Sequence, residues 1–260
     1  MVGARGQLVR AAQVGLALLL ELAWLFAWSD AAGAWLAGGG RGPALPLSIL
    51  AGVLMGMWLL ATALLRRGPP LGVARTLLTV VTLGAMVGAG LWAAWMAEPR
   101  ALQRLDWALL GESGASLRAV AAAALALGAC WRGIALARRA QTMERAVARS
   151  QLGAVALGAL LLLSLPPPLR DPLPLGTLTS AVLLALFAGL ISLPLARVME
   201  LSESPRHAGA PPLQLTGPWL AILGGTVAAL MLGALVLASV LTPDLLWHLL
   251  APLGPVLGVN

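Results

Sequence analysis

The sequence predicts an all-α fold: a polytopic transmembrane helical bundle of about seven spans followed by a short C-terminal apolar segment, with residues 1–260 forming a single integral membrane domain. Three observations carry that prediction. Hydrophobic residues make up 60% of the chain and charged ones only 10%, against roughly a quarter charged in soluble domains, so the charges are too few to clothe a globule of this size in water. Mean hydropathy is +0.90. Most of the 17 basic residues fall in the gaps between apolar stretches that are each near the length needed to cross a bilayer.

The first span is read from Leu8 to Trp28, ending at Ser29-Asp30, with the breaker Gly38-Gly39-Gly40-Arg41-Gly42-Pro43 beyond it. Arg5, Arg10 and the apolar run after them have the outline of a signal peptide, and Ala32-Gly33-Ala34 resembles a cleavage site. With six more spans to follow, an uncleaved first helix is expected. The second span, Leu47 to Leu65, stops at Arg66-Arg67-Gly68-Pro69-Pro70, where a basic anchor and a Gly-Pro breaker mark the same boundary. The third, Thr76 to Met96, closes on Trp92 and Trp95 at the level of an interfacial aromatic belt. The mixed apolar and charged connection from Glu98 to Arg118 is expected to form a short helix on the membrane surface.

The fourth span covers Ala119 to Leu136 and runs into the densest basic cluster, Arg138, Arg139, Arg145 and Arg149. The fifth, Leu152 to Leu165, is short for a crossing at ~1.5 Å per residue and has to borrow apolar neighbours or sit askew. Pro166-Pro167-Pro168 ends it. The sixth, Leu178 to Leu195, carries Pro194 near its exit and leads into a polar loop, Glu200 to Gln214. The seventh runs from Trp219 to Leu241 and stops at Thr242-Pro243-Asp244. Residues 245–259 are apolar but broken by Pro252 and Pro255, leaving an interfacial helix, a re-entrant segment or an incomplete eighth span as alternatives.

Every basic side chain is Arg, and the arginines gather at span ends without interleaved aromatics, which argues for topology and against nucleic acid as a partner. Twelve of them fall on the side of the N-terminus and five on the other, so the expected setting is a bacterial cytoplasmic (inner) membrane with the N-terminus in the cytoplasm. The lone Cys130 reads as a small core residue. Gly52 and Gly56, like Gly84 and Gly88, have the small-xxx-small spacing and are expected to make packing contacts inside the bundle. His207 and His248 fall on opposite sides, and the Asp244 and His248 pair is too small a ligand set, so neither metal nor cofactor is expected. The chain has no phosphate loop, no His-Glu-x-x-His, no Cys-x-x-Cys and no Gly-x-Ser-x-Gly elbow, and catalysis is not expected.

Glu21 is the first candidate for a functional residue. It lies halfway along the first span, where a bare carboxylate costs at least ~2.5 to 3.5 kcal/mol, so it must be protonated, paired or facing a wet cavity. An interhelical structural bond is the expectation, with an ion or proton path as the alternative. Arg132, about one and a half turns from the end of the fourth span, is the natural partner. Counted from the cytoplasmic ends, however, it is shallower than Glu21 by roughly 10 Å, so it is expected to snorkel to the interface instead.

The run Cys130-Trp131-Arg132-Gly133-Ile134-Ala135-Leu136-Ala137-Arg138, with Gly217-Pro218-Trp219-Leu220 and Thr242-Pro243-Asp244-Leu245-Leu246, resembles bacterial multi-pass membrane proteins that are encoded with transglutaminase-like proteins and end in a small domain of unknown function. The resemblance implies a membrane portion without that terminal domain. It transfers no catalytic residue. The functional expectation is a non-enzymatic membrane anchor or assembly module of an envelope system, whose partners are the lipid bilayer and other membrane or envelope proteins. A transporter or permease working through Glu21 is the alternative.

Overall fold

The computed structural model describes residues 2–36, 42–99, 114–138, 143–164, 173, 175–203, 224–230 and 232–233. The expected surface helix after Glu98, the Pro166-Pro167-Pro168 turn, the loop from Glu200 to Gln214 beyond Glu203, both histidines and residues 245–259 lie outside them. Six long helices follow in order: α1 (Val2–Leu36), α2 (Leu47–Arg67), α3 (Leu71–Ala97), α4 (Ala115–Arg138), α5 (Met143–Leu163) and α6 (Leu175–Glu203). All six are long and apolar enough to cross a membrane, which marks the chain as a multi-pass integral membrane protein. Residues 224–230 and 232–233, inside the expected seventh span, are also helical.

Helix boundaries follow local chemistry. Pro46 and Pro70 precede α2 and α3, because proline's missing amide and fixed φ suit a helix start. α3 therefore begins at Leu71, five residues before the expected Thr76, and places Arg75 in its second turn. Gly68 closes α2 in the left-handed conformation (φ 59°), its amide donating to the Leu64 carbonyl at 3.1 Å, a cap that a side-chain-bearing residue adopts only with strain. α5 resolves the short fifth span by starting at Met143, so that Arg145 and Arg149 belong to its first turns. α6 continues through Pro194 to Glu203.

α1 is the hub. One face of it, with Ala17, Leu18 and Leu25, packs into a core shared with Leu50 and Leu54 of α2, Ala89 and Ala93 of α3, and Ala122, Ala126 and Ala129 of α4. Another face, with Leu20, Ala23, Ala27, Ala31 and Ala34, packs against Leu157 and Leu160 of α5 and Leu178, Ala181, Ala185 and Ala188 of α6. The bundle is thus a three-helix unit and a two-helix unit joined through a shared helix. The alanine-rich seams let helices approach closely where there is no hydrophobic force between them to spare. Large apolar side chains point outward instead, among them Val80, Leu83, Val87 and Leu91 of α3 and Trp131 of α4, the last 71% exposed. An exterior of this kind suits lipid tails.

The glycine spacings noted above do not pack as expected. A Cβ built on Gly52, Gly56, Gly84 or Gly88 meets nothing within 4 Å, because these faces of α2 and α3 point out of the bundle. The close approaches occur at glycines outside these two Gly-xxx-Gly pairs. At Gly133 of α4 a Cβ would fall 2.6 Å from the Leu54 carbonyl oxygen and 3.1 Å from the Trp58 amide nitrogen, so α4 rests on the backbone of α2. Cys130, one turn earlier, is fully buried, as its reading as a core residue requires.

Candidate functional site

The two candidate residues meet. Arg132 donates from Nε to Glu21 Oε2 at 2.8 Å and from its terminal nitrogen to Oε1, a two-point ion pair between α4 and α1. Trp24, one turn along α1, donates its indole N–H to Oε2 at 2.9 Å. Glu21 is 1% exposed and the Arg132 side chain 18%. Both carboxylate oxygens are therefore engaged from within the bundle, one of them twice. A two-point guanidinium–carboxylate contact is the arrangement in which charge and geometry reinforce each other, and it is not available to lysine.

The expectation that Arg132 snorkels to the interface is overturned, and the reason is helix register. The ends of α1 and α4 that meet are the far ones: a Cβ on Gly114, just before α4, would sit 3.5 Å from the Leu36 carbonyl oxygen at the end of α1. Counted from that junction, Glu21 is 15 residues down α1 and Arg132 is 18 residues from Gly114, or ~22 and ~27 Å at 1.5 Å per residue. The ~5 Å difference is spanned by the stem of an arginine side chain. Counting from the N-terminal side exaggerates the gap, because α1 overhangs the end of α4 there.

The far junction is built from polar residues that the sequence reading assigned to a helix end. α1 does not stop at Ser29-Asp30 but continues to Leu36, and the chain then returns so that residues 42–45 lie back along it. The Ala44 amide donates to the Ser29 carbonyl at 2.8 Å, while the Ser29 hydroxyl accepts from the Leu45 amide and donates to the Leu45 carbonyl, both at 2.7 Å. Gly33 makes this approach possible: a Cβ there would lie 2.2 Å from the Gly42 carbonyl oxygen and 2.7 Å from the Ala44 amide nitrogen. From α4, Arg118 donates to the Gly42 and Pro43 carbonyls at 3.1 and 2.9 Å and is only 4% exposed. Non-helical backbone at membrane depth is tolerated where protein satisfies its polar groups, and here Ser29 and Arg118 do so. Arg118 therefore acts inside the bundle and not as an exposed topology charge.

Continuation of α1 also brings a second carboxylate, Asp30, into the apolar stretch Arg10–Leu36. Nine residues separate it from Glu21, which places it ~180° around the helix and ~13.5 Å further along. It borders a crevice of about 10 Å³, lined also by Ala27, Leu160, Thr177 and Leu178, which is about the space of one water. The two acidic groups thus belong to different halves of the bundle. Trp28 donates to the Ala156 carbonyl at 3.0 Å and stacks edge-on against Trp35, ring centroids 6.5 Å apart, pinning α5 to α1.

Of these residues, sequence reasoning found Glu21 and Arg132 but missed Trp24, Ser29, Arg118 and Asp30. The spacing of Trp24 from Glu21, three residues, is the one local signal available in advance. The others depend on how the 42–45 segment returns. Among the described residues no three His, Cys, Asp or Glu side chains converge to hold a metal ion. No protein-family model, curated protein or solved structure matches this chain.

Proposed function

We propose that this chain is a non-enzymatic membrane module that anchors or assembles partner proteins of the bacterial envelope, set in the inner membrane with its N-terminus in the cytoplasm. The observation that carries the proposal is the closed Glu21–Arg132 pair, in which the most deeply buried acidic group among the described residues has both oxygens bonded within the bundle. A residue that passes ions or protons needs a partner that comes and goes, whereas this one is held by a neighbouring helix and an indole. The pair fixes α4 against α1, and Gly133 beside it seats α4 on α2. The stretch that carries the family resemblance, Trp131-Arg132-Gly133, is therefore a docking element in which Arg132 and Gly133 point inward and Trp131 points out of the bundle. A rigid bundle of this kind suits a platform for other envelope proteins.

The test is a pair of measurements on protein purified from native membranes in mild detergent. The proposal expects the 26.6 kDa chain to migrate in a stoichiometric complex with a second membrane protein, and to leave ion and proton gradients intact in liposomes. A chain that migrates alone and dissipates a gradient in a manner abolished by Glu21→Gln is a transporter, and the proposal is then wrong.

A further inference from the structure

We propose that the end of the α2–α3–α4 unit at which α2 and α4 finish and α3 starts is a binding site for the headgroup of an anionic phospholipid. Three helix ends meet there. Leu64 near the end of α2, Leu78 in α3 and Ala137 near the end of α4 pack in one cluster with Met57, Ala61 and Cys130. Around that cluster stand Arg66 and Arg67 in the last turn of α2, Arg75 in the second turn of α3 and Arg138 at the end of α4, all exposed. None of the three helices contains an acidic residue, so their own side chains supply no counter-charge.

Arg66, Arg67 and Arg138 are each accounted for by the helix dipole, because cations are favoured at helix C-termini. Arg75 stands one turn past the N-terminus of α3, whose leading amides receive no side-chain cap from Pro70. An anion seated over the Gly68-Pro69-Pro70 turn would accept from those amides and pair with Arg75 on one side and Arg66 and Arg67 on the other. The apolar surface further along the same helices identifies the carrier of that anion. Leu59 and Leu65 of α2 are 55% and 57% exposed and Leu77 and Val80 of α3 39% and 59%, so the charged ring stands over side chains that acyl chains would cover. Phosphate joined to acyl chains is an anionic phospholipid, and a basic recess between membrane helices is a recognised form of site for one.

Lipid retention by native mass spectrometry tests this, comparing phosphatidylglycerol with phosphatidylcholine. The wild-type chain is expected to retain phosphatidylglycerol selectively, and each arginine removed from the ring should lower retention about fivefold. The key comparison is Arg66→Gln/Arg67→Gln/Arg75→Gln against Arg145→Gln/Arg149→Gln/Arg197→Gln, an equal loss of charge on α5 and α6 at the same end of the bundle. The first should lose the lipid and the second keep it. Equal loss in both, retention of phosphatidylcholine as strong as that of phosphatidylglycerol, or displacement of the lipid by water-soluble glycerol phosphate at matching concentration would each overturn the proposal. The thiol of Cys130, buried in the same cluster, reports folding: if the triple variant exposes it in phosphatidylcholine micelles, Arg75→Gln alone takes its place and must show the fivefold loss.

Discussion

Replacing Arg132 by Gln should destabilise the protein more than replacing Glu21 by Gln, and the two effects should not add. In the Arg132→Gln variant a carboxylate that is 1% exposed keeps only the Trp24 indole as an ordinary donor. Stranding a buried charge in this way costs about 3–5 kcal/mol. In the Glu21→Gln variant the amide oxygen still accepts from Trp24 and from Arg132, and the arginine, 18% exposed on a flexible stem, can shift its charge toward the interface. The expected cost is about 1–2 kcal/mol, in line with a charged hydrogen bond reduced to a neutral one. The double variant leaves neither charge stranded, so a coupling of about 2 kcal/mol, more than a tenfold effect on the unfolding constant, is expected. The assay is unfolding in mixed micelles with increasing SDS, followed by maleimide labelling of Cys130, the only cysteine and fully buried. If Glu21→Gln destabilises the Arg132→Gln protein as much as it does the wild type, the pair contributes nothing to the fold and the reasoning fails.

The glycines should separate into two groups in the same assay. Gly33→Ala and Gly133→Ala drive a methyl into backbone atoms 2.2 to 2.8 Å away and should each cost at least about 2 kcal/mol or prevent folding, whereas Gly84→Ala and Gly88→Ala, with nothing within 4 Å, should leave the unfolding midpoint unchanged or slightly raised. Ser29→Ala removes both hydrogen bonds to the Leu45 backbone and should cost about 1–3 kcal/mol, seen as faster amide exchange at Ala44 and Leu45 with little change in α5. Arg118→Gln should release the same segment from the α4 side, and unchanged exchange at residues 42–45 in that variant would show that the guanidinium does not hold it.

How much was legible in the sequence depended on whether a feature is set by local composition or by register between distant segments. The membrane class and six described helices follow from apolar length and from breakers such as Gly68-Pro69-Pro70. The ends of α1 and α5 were misplaced because Ser29, Asp30, Arg145 and Arg149 are polar without being helix breakers, and a partner segment or a half-buried face accommodates them within the helix. Glu21 was identifiable because burial of a carboxylate in a span demands an explanation, but its pairing was misjudged, since the relative height of α1 and α4 is set at the Leu36–Gly114 junction and no local pattern encodes it. The glycine motifs failed for a similar reason. Spacing of four residues places small residues on one helix face, yet whether that face looks inward depends on the whole bundle.

The central claim, that Glu21 sits in a dry internal lock, is tested most directly at the residues that guard it. Ala17 and Leu18 lie one turn below Glu21 on the same face of α1 and Leu25 one turn above, and they are 3%, 8% and 1% exposed. Each would be changed to Cys in a Cys130→Ala background and challenged in membrane vesicles with a charged, water-soluble thiol reagent from either side. No labelling at any of the three before SDS is added, and full labelling after it, is the predicted result. Labelling of even one of them in the intact membrane would reveal a water path to Glu21 and contradict the account.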